Sequence, residues 1–467
     1  MDESRVAKQS GPGSAFTSPS TPSTPSNSSA TKNPFLASLS LVHVAMIASF
    51  VLEWSHRSLF ARRTSDYLAF STGWTMIAKG HAAHLYDLAA QAKFQHVLMH
   101  GTFKNNVLPF NYPPYVATIF SGFGRISLET GYWVWAGINV VLAGVLVLLL
   151  RRITGLAGTE WKRFVLWVLA IAPLWSSFMG GVFSLWIAVG AAGFVLAMLD
   201  GRQFSAGLWL GLVAFKPQYV PPLLALIVAR RAWKALAGAL LAGVVLVGVS
   251  LPTVGLRGWR AFFNLLQVFS GNGSRYNAHA ELMWSVRGLL TRLVEEGSLY
   301  AFPDDRWLAL SHDQLTEKLS FACFALGLIC IVAMGRRFNL RIHAAMTLCA
   351  MTILSPHGHS HDTLLMTIAV GLIWSVARMQ SGSAQQLADS MQLSVLSSSV
   401  PMFLAYYLLR SSLSLLPLAS FCAIACWGWH YRHVSSERPK LQGPLMLEVP
   451  SRFEPRNAGT IGPAQTL

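Results

Sequence analysis

Apolar runs without a charged residue recur along this chain, and they restrict its possible folds more than any other feature. Residues 133–150 and 235–251, for example, contain no Asp, Glu, Lys or Arg. A helix of about 20 such residues crosses the hydrocarbon core of a bilayer. Backbone groups in lipid must pair internally, and no alternating strand pattern indicates a β-barrel. With 12% charged residues, against roughly 25% in soluble proteins, the sequence predicts an all-α, polytopic transmembrane helical bundle.

The lengths of the apolar segments suggest how the bundle is organised. About 9 to 12 of them are expected to enter the membrane, within one multi-pass domain at residues 34–432. Segments 113–126 and 205–215 are shorter than a span requires, so we expect half-depth elements there, which bilayers tolerate where they line a protein cavity. Two long polar connections, 53–111 and 252–317, leave room for short helices on the membrane surface.

The two tails differ from this domain in composition. Residues 1–33 are dominated by Ser, Thr, Pro and Gly, and residues 433–467 combine Pro and Gly with mixed charge. Such compositions bury too little apolar surface to offset the entropy of an ordered chain. We therefore expect both tails to be disordered.

The net charge of +16 is explained by membrane orientation, without a nucleic-acid partner. Lys and Arg cluster in the short links 151–163, 229–234 and 335–341, which the positive-inside tendency places in the cytoplasm. The two long connections and the turns at Lys216 and His357 then face outside. The expected location is the cell (inner) membrane, with multiple passes and an active site on the extracytoplasmic side.

Asp66 is the first candidate for chemistry, because ionisable groups near membrane depth are costly and often functional. A low-dielectric boundary raises the pKa of a carboxyl toward the range of a general base. The alternative is an N-cap for a surface helix that starts at Tyr67, and the sequence favours neither. Asp87 is interpreted as a cap or turn residue.

Polar side chains also interrupt two later apolar stretches. In FNYPPYVATIF, paired prolines mark an entry into the membrane, and Tyr112 or Tyr115 fits either a substrate contact or an interfacial aromatic belt, the belt being favoured for Tyr115. Lys216 and Gln218 lie among about two dozen apolar residues. We interpret Lys216 as a buried cation that awaits an anion, for which phosphate is the obvious choice, with snorkelling from a hairpin tip as the alternative.

The outer connection and the segment LSPHGHSHDTLLM supply the remaining candidates. Arg275 fits a phosphate contact or a solvated position equally well. His357, His359 and His361 suggest a metal cluster, but we expect His359 to lie on the opposite face of the chain from the other two. The favoured interpretation is a polar lip that donates hydrogen bonds to an anion or sugar, with Ser360 or Asp362 as the N-cap of the next helix.

These features together resemble glycosyltransferase family 87, the polyprenol-phosphate-mannose-dependent mannosyltransferases of the GT-C fold. The matching positions occur in the family's order across roughly residues 35–380, with two departures, Gly180-Gly181 and the excess of histidines. They are Asp66, Gly80, Leu85-Tyr86-Asp87, Phe110-x-Tyr112-Pro113-Pro114, Ala206-Gly207, Gly211, Lys216-Pro217-Gln218, an Arg-plus-Trp link, Ser355-Pro356 and His361-Asp362.

The resemblance implies an inverting hexosyltransferase with a catalytic aspartate in its first outer loop, which Asp66 matches. It implies a polyprenyl-phosphate sugar donor, with mannose as the expected sugar, a lipid or glycan acceptor, and neither metal nor other cofactor. The expected substrate-binding residues are Tyr112, Lys216, Gln218, Arg275, His359 and His361. Two alternatives stay open: a transporter or flippase of lipid-linked sugars, although no internal repeat is visible, and a metal-dependent membrane hydrolase that uses the histidines.

Overall fold

The computed structural model describes residues 34–58, 60–61, 65–102, 107–272, 283–291, 310–378 and 393–404. Arg275 and both tails therefore lie outside the described residues. Helices are the only regular structure in the described part of the chain.

The described helices of the N-terminal half follow one another closely. In chain order they are α1 (Pro34–His56), α2 (Asp66–Ala78), α3 (Leu88–Leu98), α4 (Pro114–Ile119), α5 (Leu128–Thr154), α6 (Gly158–Ala170), α7 (Ala172–Gly180) and α8 (Ser184–Leu199).

Those of the C-terminal half include the longest element. They are α9 (Gln203–Val213), α10 (Val220–Arg230), α11 (Trp233–Asn272), α12 (Val286–Thr291), α13 (Leu310–Met334), α14 (Leu340–Ile353), α15 (Met366–Arg378) and α16 (Ser399–Leu404).

Helix length separates full membrane spans from shorter elements. Stretches within α1, α5, α11 and α13, together with Ser360–Arg378, are long and apolar enough to cross a bilayer. The pair α6 and α7, bent by 46°, makes a sixth span if it crosses as one unit. The all-α polytopic prediction is confirmed. The predicted 9 to 12 segments are reached in the described chain only when the shorter apolar helices α8, α9, α14 and Leu393–Leu404 are added to these spans.

The centre of the bundle is α8, which is buried on every face. A helix that is apolar all round requires such a position. It packs against α5 and α9, and α9 in turn packs closely against α11. At that last crossing, a Cβ on Gly207 or Gly238 would collide with the backbone of the opposite helix. Small residues allow the close approach by which membrane helices associate.

A backbone break divides α11 into two parts. Gly255 has φ 61° and ψ −175°, three residues after Pro252. This conformation is essentially restricted to glycine. The apolar segment expected to end at Leu251 is thus followed, after the break, by more helix as far as Asn272.

The three Arg-rich links meet at one end of the bundle. Arg230 donates to the carbonyl of Phe338 at 2.7 Å, which joins the second link to the third. Arg341 donates to the carbonyl of Ile153, which joins the third link to the first. Lys216 lies at the other end of α10 from Arg230, about 20 Å away along the helix axis at 1.5 Å per residue.

Candidate active site

A buried ion pair lies where two helical regions are interrupted. Lys216 is extended and precedes the short 3₁₀ helix Pro217–Tyr219 between α9 and α10, a conformation that a following proline favours. Its Nζ is 2.7 Å from Oδ1 of Asp362, and both side chains are at most 5% exposed. Ser184 on α8 donates to the same oxygen at 2.8 Å. The anion of Lys216 is thus a protein carboxylate, so our interpretation of this lysine as a cation without a protein partner is wrong.

His361 adjoins this pair and is held in one tautomer by it. The His361 Nε2 atom is 3.3 Å from Lys216 Nζ. An ammonium group donates hydrogen bonds and cannot accept them, so Nε2 must be the acceptor. In this contact the ring is neutral and carries its proton on Nδ1, which leaves one N–H donor beside the ion pair.

Asp66 does not cap its helix. It is the first residue of α2, whose N-cap position is occupied by Ser65. No hydrogen bond joins the Asp66 carboxylate to another described residue, so the N-cap alternative is wrong. Asp87 does act as a cap, since its carboxylate accepts from the amides of Ala89 and Ala90 at the start of α3.

The Asp66 carboxylate belongs to the same electrostatic cluster as the ion pair. Asp66 is exposed, and burial by the surrounding protein raises the pKa of its carboxyl above the ordinary value. Asp362 raises the pKa further, and Lys216 opposes both effects. Asp66 and Lys216 therefore act on one another electrostatically.

Tyr112 interacts electrostatically with both carboxylates. Its ring packs edge-on against Phe70 of α2 at 4.8 Å and lies 5.6 Å from Phe183. Burial, and then Asp66 and Asp362, raise the pKa of Tyr112 well above 10, so its hydroxyl stays protonated as a hydrogen-bond donor. Tyr115, by contrast, is 5% exposed and donates to the carbonyl of Ala214 at 2.6 Å. The aromatic-belt interpretation of Tyr115 is wrong because the side chain packs inside the bundle.

The three histidines of the opening segment gather in one place. The His359 ring lies 4.7 Å from that of His357 and 5.5 Å from that of His361. The expectation of opposite faces is wrong, because side chains two residues apart in an extended chain point to the same face. His359 occupies the N-cap position and Asp362 points back to accept from its amide at 3.1 Å, so neither Ser360 nor Asp362 is the N-cap. Within the described residues, no group of three His, Cys, Asp or Glu side chains is arranged to hold a metal.

A cavity of about 320 Å³ opens beside Tyr112 and Lys216. Gln218 lines it and donates to the carbonyl of His357 at 3.3 Å. Its other lining residues include the polar side chains of Asn111, Arg287 and Glu317 and the apolar side chains of Phe215, Phe262, Leu266 and Phe321.

The structure thus brings together Asp66, Tyr112, Lys216, Gln218, His359 and His361, whereas Arg275 lies outside the described residues. Sequence reasoning missed three contributors. Asp362 was taken for a cap, and Ser184 and Arg287 were not singled out. A signal for Asp362 exists, since a lysine and an aspartate within separate apolar segments predict an ion pair on grounds of burial cost.

Gly181 occupies a position that suits glycine alone. It ends α7 with φ 64°, and its carbonyl accepts from Trp135 Nε1 at 2.7 Å. A Cβ there would lie 3.0 Å from the Cβ of Tyr67, the neighbour of Asp66. The departure from the family's pattern at this point therefore has a packing reason.

The structure is a helical bundle with candidate membrane spans and a cavity lined by both ionisable and apolar side chains. The sequence profile of glycosyltransferase family 87 matches residues 110–356, just over half of the chain. The chain therefore belongs to glycosyltransferase family 87 and is a membrane glycosyltransferase. No curated protein matches the chain. Family membership favours transfer over the flippase and hydrolase alternatives.

Proposed function

We propose that this enzyme, of the GT-C type, transfers a hexose, expected to be mannose, from a polyprenyl-phosphate sugar to a lipid or glycan acceptor. The observation that carries the proposal is the single cluster of Asp66, Tyr112 and the Lys216–Asp362 pair, of which Tyr112 and Lys216 line a cavity that has both polar and apolar lining residues. Such a cavity suits a substrate with a polar head and a hydrocarbon tail.

Asp66 is the general base in this proposal. Its raised pKa increases its basicity, and its solvent-accessible surface allows an acceptor hydroxyl to approach. The carboxylate takes the hydroxyl proton as the hydroxyl oxygen bonds to the anomeric carbon. The bond from that carbon to the phosphate oxygen breaks, and the polyprenyl phosphate leaves. A single displacement of this kind inverts the anomeric centre and requires one carboxylate.

The leaving phosphate is stabilised by fixed donors instead of by one unpaired cation. Lys216 is held by Asp362, so it contributes a fixed, oriented charge. The neutral His361 presents Nδ1–H, and Tyr112 and His359 add further donors beside it. Preorganised donors aimed at developing charge commonly supply the largest part of catalysis. This arrangement supports a reaction without a metal ion.

The apolar lining of the cavity supports a lipid-linked donor. Phe262 and Leu266 come from α11 after its break, and Phe321 comes from α13, two helices that contain full spans. Phe321 is 49% exposed. A polyprenyl chain that enters between these helices places its phosphate and sugar toward Lys216.

The membrane orientation follows from the Arg-rich end of the bundle. Since the three basic links meet there, the positive-inside tendency assigns that end to the cytoplasm. Lys216, His357 and the cavity lie at the opposite ends of α10 and α14. We therefore propose that transfer occurs on the extracytoplasmic side of the cell membrane, with the connections 53–111 and 252–317 on that side.

The test is a transfer assay with purified protein in lipid. Labelled polyprenyl-phosphate mannose is supplied with a cell lipid extract, and the labelled product is identified; polyprenyl-phosphate glucose serves as the matched donor control. Wild-type protein is expected to form a labelled glycolipid, and Asp66→Asn is expected to lose at least about 100-fold in rate, the usual contribution of a general base. Because the raised pKa means that the ionised Asp66 costs stability at neutral pH, Asp66→Asn should melt no lower than wild type. Full activity of a folded Asp66→Asn protein would refute the mechanism.

A further inference from the structure

Two buried glutamines bind the backbone of the segment that leads to Tyr112. Gln95 on α3 forms two hydrogen bonds with Leu108, donating to its carbonyl at 2.7 Å and accepting from its amide at 3.0 Å. One turn earlier, Gln91 accepts from the amide of Phe110 at 2.8 Å and donates to the carbonyl of Leu85 at 2.8 Å. Both glutamines are fully buried.

The spacing of the two side chains matches the segment they hold. Residues four apart on a helix are separated by about 6 Å along its axis, and alternate residues of an extended chain by about 6.6 Å. Gln91 and Gln95 can therefore bond to residues 110 and 108 in register. Tyr86 continues the series, since its hydroxyl donates to the carbonyl of Tyr112 at 2.8 Å. Three side chains thus bind every second residue from 108 to 112.

The opposite side of the segment is fixed by α2. A Cβ on Gly73 would overlap the ring of Phe110, so glycine lets that ring lie directly on the helix. The same helix α2 carries Asp66. The segment that ends in Tyr112 therefore packs against the helix that carries the proposed base. The backbone at Phe110 is clamped between α2 and the Gln91 amide.

We propose that Gln91 is a positioning residue for sugar transfer, which it promotes by fixing where the Tyr112 hydroxyl stands relative to Asp66 and Asp362. The inference rests on the proposed function. Gln91 does not line the cavity, so it acts through Tyr112, whose hydroxyl donates a hydrogen bond to an oxygen of the bound sugar phosphate. A displacement of about 1 Å in such a group costs up to about 100-fold in rate.

A double-mutant cycle separates this role from a purely structural one. The variants are Gln91→Leu, Tyr112→Phe and the two combined, with kcat and KM measured for labelled polyprenyl-phosphate mannose. Gln91→Leu is expected to lower kcat on the order of 10- to 100-fold with a smaller change in KM. In the Tyr112→Phe background the same substitution should change kcat less than threefold, because the group that it displaces is already absent.

The control is His43→Leu, which also removes a buried hydrogen-bonding side chain. The His43 ring contacts Ser399 Oγ at 2.8 Å and the carbonyl of Leu396 at 3.0 Å, outside the cavity. His43→Leu should lower the melting temperature but combine additively with Tyr112→Phe. If Gln91→Leu does not fold, Gln91→Glu replaces it in the cycle, since its carboxylate still accepts from the Phe110 amide but, when ionised, no longer donates to Leu85.

Additive effects of Gln91→Leu and Tyr112→Phe on kcat, or an unchanged kcat in Gln91→Leu, would overturn the inference while leaving the transferase proposal intact. A wild-type protein that transfers no sugar would refute the proposed function itself, and the positioning role with it. The two failures are therefore distinguished by the wild-type rate.

Discussion

The buried pair of Lys216 and Asp362 allows a quantitative test of the site. In Lys216→Met the Asp362 carboxylate, 1% exposed, loses its cation and keeps the hydrogen bonds from Ser184 and the His359 amide. Removal of one partner from a buried pair typically costs about 3–5 kcal/mol, since the remaining charge is left uncompensated. Lys216→Met/Asp362→Asn removes both charges, so we expect it to be more stable than either single variant.

The measurement is the free energy of unfolding in mixed micelles for wild type, both single variants and the double variant. The expected coupling energy is about 3 kcal/mol or more. The chain offers a matched control in Arg202 and Asp200, which also approach to 2.7 Å but with side chains 59% and 45% exposed. Exposed pairs couple by at most about 1 kcal/mol.

A coupling energy for Lys216 and Asp362 as small as that of the exposed pair would refute the reasoning, because it would mean that water reaches both charges. The rate of sugar transfer by the same variants provides a second measurement. The double variant should regain stability without regaining the wild-type rate, since the oriented charge of Lys216 is gone. Wild-type rates in the double variant would exclude Lys216 from the chemistry.

Three further predictions follow from the site. The rate should fall as the pH falls through the raised pKa of Asp66, above the ordinary value of about 3.9 for an aspartate; a flat profile of kcat/KM from pH 7 to below pH 4 would contradict this. Chelators should leave the rate unchanged, and an EDTA-sensitive rate restored by a divalent metal would favour the hydrolase-like use of the histidines. Gly181→Gln should lower the melting temperature, because it places a Cβ against Tyr67 at a positive φ, and unchanged melting would refute that reading.

Local patterns predicted most of the fold. Charge-free apolar runs predicted the long helices. Pro217, directly after Lys216, predicted the interruption between α9 and α10, because a proline restricts the backbone of the residue that precedes it. The break at Gly255 was not anticipated, since a glycine shows that a backbone conformation is permitted and not that it is used. Burial was also misjudged for Tyr115, whose partner at Ala214 is 99 positions away.

The sequence indicated which residues belong to the candidate site better than it indicated the contacts between them. Asp66, Lys216 and His361 were singled out as ionisable residues beside or within apolar segments, and Tyr112 as part of the family's Phe-x-Tyr-Pro-Pro motif. Lys216 and Asp362 are 146 positions apart in the chain. A single sequence does not show which residues so far apart come into contact. Asp362 was assigned a local role as a cap because local geometry is all that a motif shows.

A change in the backbone torsions at Gly255 would reorient the second part of α11 as a unit. Leu266 stands eleven residues beyond it, about 16 Å along the axis, so a turn of only 10° at the glycine swings that side chain by about 3 Å. The cavity residues Phe262 and Leu266 therefore lie on a part of α11 whose direction is set by the backbone torsions at Gly255. The apolar lining from α11 and the charged Lys216 between α9 and α10 thus belong to separate parts of the chain.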